Sequence, residues 1–303
     1  MRFGRAQPGE RGTLRVSAAA HPRSRDDRLG RDAGRRGVRI RAGAAGCAVL
    51  VAVVREVRQL CARLRELVPD GIRGSAGRRC GRGHGGVRRG TRRNLVPLGD
   101  LDPVVAAPLT DAGKTSHNAV SVAKDRLGEG SVCVVVGIGG IGHVALQVLR
   151  AITRARVIAV DTDPDRLGYA RELGAGETVQ SGPGARERIA ELCDGMGADV
   201  VFDFVGLSQT VELACGVVAA GGKIVMVGLG DGVVPVKLGG VLPQQVEVVV
   251  PLAGGKPNLE AVLELARKGE VTAKVTTFPL AEVADVVRRV HEGKVLGRAV
   301  LVP

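Results

Sequence analysis

The chain has 303 residues, enough for two domains of ordinary size, and with four Phe, one Tyr and no Trp it must build any core from aliphatic side chains. Its net charge of +13 is unevenly placed: residues 1–93 contain 24 Arg, no Lys and seven acidic residues, a net charge of +17, whereas residues 94–303 carry −4. This distribution argues against a nucleic-acid-binding protein, and the apolar stretch at 47–54 is too short to span a membrane.

Residues 1–93 lack a sustained hydrophobic period, although residues 47–67 could form an amphipathic helix. The flanking stretches are too rich in Gly and Arg to bury a core, so the segment could be a disordered basic tail that contacts acidic partners. An organelle transit peptide is a second interpretation, which the length of the segment and the acidic pair Asp26 and Asp27 disfavour. The Arg-rich start lacks the continuous apolar core of a secretory signal peptide.

The cysteines indicate a reducing compartment. They are scattered without a paired framework, and Cys133 lies inside a predicted buried strand. We therefore expect reduced thiols and a cytoplasmic protein. The six are Cys47, Cys61, Cys80, Cys133, Cys193 and Cys215.

From Asn94 onward, apolar strands alternate with helices, a pattern typical of an α/β protein. Strands are predicted at 132–137, 156–161, 177–180, 199–206, 223–230 and 246–252. Helices are predicted at about 140–152, 164–175, 185–195, 208–222 and 258–269. Because the strands are apolar throughout, both faces of the sheet should be covered, which predicts a doubly wound parallel Rossmann sheet.

The loop after the first strand matches the G-x-G-x-x-G pattern, whose members are Gly137, Gly139, Gly140, Ile141 and Gly142. The pattern alone is weak, but here it joins a strand to a helix, and the next strand ends in Asp161. In such loops the first glycine permits the tight turn, the second lets a pyrophosphate approach, and the third allows close packing. A carboxylate at Asp161 would bind ribose hydroxyls and repel a 2′-phosphate. We therefore predict a dinucleotide site that prefers NAD to NADP, with a ligand-free sheet crossover as the alternative.

The order of these pieces resembles the zinc-dependent medium-chain alcohol dehydrogenases, especially bacterial NAD-linked members that act on secondary alcohols. The matching stretches include NLVPLGDLDP (94–103), APLTDAGKT (107–115), VVVGIGGIGHVALQ (134–147), VIAVDTDPDRLGYARELGA (157–175), VFDFVG (201–206) and GRAVLVP (297–303). The resemblance implies remnants of a GroES-like catalytic domain at 94–125, an NAD-binding domain at 126–270, and a C-terminal return to the catalytic domain at 271–303.

The resemblance also implies roles for individual residues. Asp111 would be the carboxylate ligand of a catalytic zinc and Thr115 would lie beside the nicotinamide. Asp161 and Arg166 would hold the adenosine ribose, and Arg298 would pair with the pyrophosphate. The predicted backbone neighbours of the ribose and nicotinamide are Phe204, Val205, Val227, Gly228 and Leu229.

Two of the three catalytic zinc ligands that the resemblance implies are missing from the sequence. The family takes a Cys and a His from its N-terminal domain, near a G-H-E motif, but residues 1–93 contain neither G-H-E nor C-x-x-C. Cys80 and His84 lie where the family's zinc loops have already ended. We therefore expect poor zinc binding and low alcohol dehydrogenase activity. The abrupt start of the match at Asn94, with an Arg, Gly and Ala excess upstream, favours a third interpretation of residues 1–93, a GC-rich gene translated out of frame.

The expected function is oxidation of a small alcohol to a ketone or aldehyde by zinc-assisted hydride transfer to NAD. Two alternatives remain: a zinc-free enone reductase of quinone-oxidoreductase type, against which Asp111 counts, and a non-catalytic NAD-binding module with a basic tail. We also expect a homo-oligomer, with no membrane and no nucleic-acid partner.

Overall fold

The computed structural model describes residues 96–237, 239–251 and 253–302. The predictions for residues 1–93, including the candidate helix at 47–67 and the three interpretations of the segment, lie outside the described residues. So do Asn94 and Leu95, the first two residues of the family resemblance.

Six strands form one parallel sheet. In chain order they are β1 (Val132–Val136), β2 (Arg156–Asp161), β3 (Glu177–Gln180), β4 (Ala198–Asp203), β5 (Val218–Met226) and β6 (Glu247–Val249). Their order across the sheet is β3-β2-β1-β4-β5-β6. The chain therefore runs outward from β1 in one direction, returns, and runs outward from β4 in the other, which makes β1 and β4 the switch point of a doubly wound sheet.

Helices cover both faces of the sheet and enclose two apolar clusters. Val135 and Phe202 lie in one cluster, and their neighbours Val134 and Val201 lie in the other, because successive side chains of a strand point to opposite faces. The helices that connect the strands are α3 (Gly142–Ile152), α4 (Pro164–Glu172), α5 (Ala185–Leu192), α6 (Ser208–Val217) and α7 (Lys256–Arg267). The predicted α/β Rossmann class is confirmed.

Two short segments flank the sheet domain. Before it lie α1 (Pro103–Ala106) and α2 (Ala112–Ser121), and α2 packs against α3 and α7 with fully buried side chains such as Ala119 and Val120. After it, β7 (Val275–Pro279) and β8 (Arg298–Val302) pair in parallel across α8 (Val283–His291). The assignment of these segments to a catalytic domain stays a prediction.

The boundary between α6 and β5 differs from the prediction. The sequence predicts a helix to Gly222 and a strand from Lys223, but the helix ends at Val217 and β5 begins at Val218. Ala198 of β4 pairs with Val218, and the register then shifts before Val200 pairs with Lys223. The apolar Val-Ala sequence is compatible with a helix or a strand, and it forms a strand here because Val218 pairs with β4.

Smaller differences concern element ends. The helix predicted from about Gly140 begins at Gly142, and the strand predicted at 246–252 is limited to Glu247–Val249. Cys133, Cys193 and Cys215 are free and buried. Within the described residues, no helix combines the length and the apolar character needed to cross a bilayer.

Candidate dinucleotide-binding site

A cavity of about 540 Å³ lies at the carboxyl ends of β1, β2 and β4, the edge of a doubly wound sheet where ligands bind. Its lining combines the glycine loop with residues that follow the neighbouring strands. Ten predicted cofactor residues belong to this lining: Gly137, Gly139, Gly140, Ile141, Gly142, Asp161, Arg166, Phe204, Val205 and Arg298.

The three fixed glycines of the G-x-G-x-x-G pattern have different surroundings. Gly137 has a φ of +89°, the left-handed conformation that glycine adopts at no steric cost, and turns the chain out of β1. A Cβ on Gly142, at the start of α3, would lie 1.9 Å from the Gly137 carbonyl oxygen. A Cβ on Gly139 would meet no atom within 4 Å. The loop thus packs tightly against itself at Gly142 and leaves open space in the cavity at Gly139, as a cradle for a pyrophosphate requires.

Asp161, at the end of β2, is nearly buried, and its side chain organises the loops around it. One carboxylate oxygen accepts a hydrogen bond from the Ile138 N–H at 2.7 Å, and the other accepts from the Asp163 N–H at 3.0 Å. The Arg166 guanidinium lies 3.9 Å from this carboxylate and 3.5 Å from that of Asp163. A carboxylate can accept about four hydrogen bonds, so Asp161 retains capacity for ribose hydroxyls.

Asp203, at the end of β4, organises the other wall, and its role is absent from the sequence-based predictions. The side chain is fully buried. One oxygen accepts from the backbone N–H groups of Val205 and Gly206, both at 2.8 Å, and the other accepts from the Thr210 hydroxyl at 2.8 Å. Aspartate side chains commonly accept a hydrogen bond from the backbone two residues on, so an aspartate at a strand end is a signal for such a turn.

Arg298, the first residue of β8, reaches the cavity from the C-terminal segment. Its side chain lies over Gly140, where an added Cβ would come within 3.0 Å of the Arg298 Cδ atom. The guanidinium also donates to the Asp111 carboxylate at 2.9 Å. The predicted pyrophosphate partner and the predicted zinc ligand are therefore paired with each other.

Several predicted residues lie away from the cavity lining. Thr115 is buried in α2 and its hydroxyl donates to the Ala253 carbonyl at 3.1 Å. A Cβ added to Gly228 would lie 2.1 Å from the carbonyl carbon of Val205, so Gly228 packs directly against that backbone. Leu229 is fully exposed. Val227 contacts one of the apolar clusters.

The lining also contains residues that sequence reasoning missed: Val136, Val160, Thr162, Ser181, Leu207, Gln209 and Thr210. Most of them follow β2, β3 and β4 at the same edge of the sheet. Their positions follow from the strand order, because the carboxyl ends of parallel neighbours meet at one edge, but no sequence motif identifies them.

The described residues do not by themselves fit a catalytic zinc. A zinc site of this kind needs three protein ligands, and in the described part of the chain no three His, Cys, Asp or Glu side chains come together. Asp111 could supply one ligand. At least one further ligand would have to come from outside the described residues.

Comparison with known proteins agrees with this geometry. Residues 140–268 match the model of the zinc-binding dehydrogenase family. The alcohol dehydrogenase of the archaeon Aeropyrum pernix is 35% identical, with a TM-score of 0.68, over 73% of this chain and 65% of that enzyme. An NAD-dependent alcohol dehydrogenase is 27% identical, with a TM-score of 0.62, over 70% of this chain and 62% of its own.

A quinone oxidoreductase from Pseudomonas syringae pv. tomato DC3000 is similar as well, at 26% identity and a TM-score of 0.62, over 70% of this chain and 68% of that one. This chain thus spans about two thirds of the length of these enzymes. The family-model match and these structural neighbours together show a partial match of this chain to the zinc-type medium-chain dehydrogenase and reductase family.

Proposed function

We propose that this chain is an NAD(H)-dependent oxidoreductase that binds the dinucleotide in the cavity at the carboxyl edge of its sheet and acts on a small alcohol or carbonyl compound. The observation that carries the proposal is the open space at Gly139, next to the loop-tethered Asp161 and the guanidinium of Arg298. These groups match two parts of a dinucleotide that need recognition: the negatively charged pyrophosphate and the adenosine ribose.

Each residue has a distinct task in this proposal. The amides of the glycine loop and the start of α3 face the pyrophosphate, to which Arg298 adds a positive charge. Asp161 accepts the ribose hydroxyls, and the Phe204–Gly206 turn, held by Asp203, forms the adjoining wall. When bound, the nicotinamide supplies hydride transfer to or from a carbon of the substrate.

Two reactions compatible with the comparisons differ in their need for metal. Alcohol dehydrogenases and a quinone oxidoreductase are both structural neighbours. Among the described residues no three ligating side chains come together, and Asp111 is paired with Arg298, which supports the second candidate, a zinc-free reductase of enones or quinones.

The full chain, purified with and without added zinc, separates the candidates. Elemental analysis gives zinc per chain. Absorbance at the NADH band measures the NADH formed from secondary alcohols and NAD, and the NADH consumed with enones or quinones. We expect NADH binding, less than one zinc per chain and little alcohol oxidation. One tightly bound zinc with alcohol turnover would contradict the zinc-free candidate, NADH binding without turnover of either substrate class would favour the non-catalytic module, and no NADH binding would refute the proposal.

The cofactor preference is a separate prediction. Because the Asp161 carboxylate would lie against the 2′ position, we expect tighter binding of NADH than of NADPH in fluorescence titrations. Asp161→Ala should weaken NADH binding by about 1–3 kcal/mol, the contribution of a charge-assisted hydrogen bond. It should also destabilise the fold, since the buried Ile138 N–H would lose its acceptor.

Asp161→Asn serves as the control for that substitution. Its single amide oxygen can still accept from the Ile138 N–H, while the negative charge is lost. The amide nitrogen would face the Asp163 N–H, which loses its acceptor, so we expect a smaller loss of stability than in Asp161→Ala. We also expect a smaller difference between NADH and NADPH. Equal affinity of the unsubstituted chain for both dinucleotides would show that Asp161 does not set the preference.

A further inference from the structure

His143 is a buried polar side chain without an assigned role in the site. It is the second residue of α3, directly after the glycine loop, and it is fully buried. Its Nδ1 lies 2.7 Å from the carbonyl oxygen of Gly139, and its Nε2 lies 3.2 Å from the backbone N–H of Lys274. The ring thus connects the loop of the proposed cofactor site with the segment that leads into β7.

These two contacts determine the proton on the ring. A backbone N–H can only donate, so Nε2 accepts from Lys274 and carries no proton. Nδ1 then carries the proton and donates to the Gly139 carbonyl. Neutral imidazole satisfies both contacts at once, whereas a doubly protonated ring would direct an N–H at the N–H of Lys274.

The connection continues from Lys274 to the cavity. The Lys274 carbonyl accepts from the backbone N–H of Arg298 at 2.8 Å, and Arg298 lines the cavity against Gly140. One turn further along α3, the Gln147 amide exchanges two hydrogen bonds with the backbone of Thr272, at 2.8 and 2.9 Å. The same helix face therefore fixes both the glycine loop and the C-terminal strand pair.

We propose that His143 is a positioning residue of the dinucleotide site: its neutral ring ties the Gly139 carbonyl to the Lys274 backbone and thereby holds the glycine loop and Arg298 in register around the pyrophosphate. The inference rests on the proposed function. It assigns to His143 an effect on ligands that contain the pyrophosphate, and no contact with substrate.

The charges around the ring support the neutral form. Burial lowers the pKa of His143, and the positive charges of Arg298 on β8 and Lys274 before β7 lower it further, against the opposing effect of the Gly139 hydrogen bond. The centres of the Tyr169 ring on α4 and of the imidazole lie 6.1 Å apart. Lys274 Nζ lies 4.3 Å from the centre of the Tyr169 ring. Protonation on acidification would therefore break the connection to Lys274.

Two substitutions each cut one half of the bridge. His143→Asn places an amide nitrogen near the Nδ1 position and keeps the Gly139 contact, whereas His143→Gln places an amide oxygen near the Nε2 position and keeps the Lys274 contact. His143→Ala removes both, and Val144→Ala is a control that loses buried apolar contacts in the same helix. If both hydrogen bonds of His143 are needed to hold the loop, loss of either one should weaken ligand binding as much as loss of both.

The measurement is the dissociation constant of ADP-ribose, which contains the pyrophosphate, and of adenosine, which lacks it, obtained by competition against NADH with the full chain well below its Tm. We expect His143→Asn, His143→Gln and His143→Ala each to weaken ADP-ribose binding by about three- to tenfold, with adenosine nearly unchanged. Val144→Ala should lower Tm and leave both constants unchanged.

The pH profile is the second readout. The unfolded chain takes up the His143 proton near pH 6.5 and the folded chain only at lower pH, so stability should fall as the pH drops below about 6.5. ADP-ribose affinity should fall at the lower pH at which His143 of the folded chain becomes protonated. This part of the profile should disappear in His143→Gln. Equal weakening of ADP-ribose and adenosine, additive losses, or an unchanged profile would overturn the inference, whereas failure of the unsubstituted chain to bind NADH would overturn the proposed function itself.

Discussion

Replacing Gly142 with alanine is expected to destabilise the protein by about 3 kcal/mol or more, because the new methyl group would lie 1.9 Å from the Gly137 carbonyl oxygen. That oxygen belongs to backbone at the end of β1 and cannot rotate away as a side chain could. The start of α3 would have to move off the sheet, and the glycine loop would move with it. Differential scanning calorimetry should show a Tm lowered by roughly 6–12 °C, together with loss of NADH binding.

Gly139→Ala is the matched control, because it adds the same methyl group two positions from the turn. Its Cβ would meet no protein atom within 4 Å, and its φ lies outside the left-handed region, so the Tm should remain nearly unchanged. The methyl would project into the cavity where the proposed pyrophosphate lies, and NADH binding should weaken about tenfold or more. If Gly139→Ala bound NADH normally, the loop would not be the pyrophosphate site.

The sequence predicted the sheet because its signals are local. Between Val132 and Asp203 short strands alternate with turns and helices, so the residue pattern changes within a few residues and reveals the βαβ units. The glycine loop and Asp161 could be found in the same way, since their spacing is a direct consequence of one strand–loop–helix–strand unit.

The parts that sequence reasoning missed depend on contacts between distant segments. Val218 enters β5 because it pairs with Ala198, twenty residues earlier, and an apolar pattern cannot report that pairing. The hydrogen bond of His143 to Lys274 joins residues 131 positions apart, so the sequence indicated only a residue at a helix start. The partner of Arg298 is similarly remote: Asp111 lies 187 residues away and was assigned to zinc by resemblance.

Replacing Asp203 with alanine is expected to cost about 2–4 kcal/mol of stability, because the buried carboxylate is the acceptor for three donors. Without it, the N–H groups of Val205 and Gly206 lose their partners in a turn that water reaches poorly. That turn also packs against Gly228, so the disturbance should spread to the loop after β5. We expect a Tm lower by roughly 4–16 °C and a weakened NADH complex, since Phe204 and Val205 line the cavity.

Asp203→Asn separates geometry from charge at the same position. The amide oxygen of Asn can take the place of the oxygen that accepts from Val205 and Gly206. The amide nitrogen can donate to the Thr210 hydroxyl, which replaces the bond that this hydroxyl donates to Asp203. Asp203→Asn should therefore retain most of the stability and NADH affinity that Asp203→Ala loses. Equal losses in the two variants would mean that the negative charge of Asp203, and not its fixed acceptor geometry, holds this wall of the cavity in place.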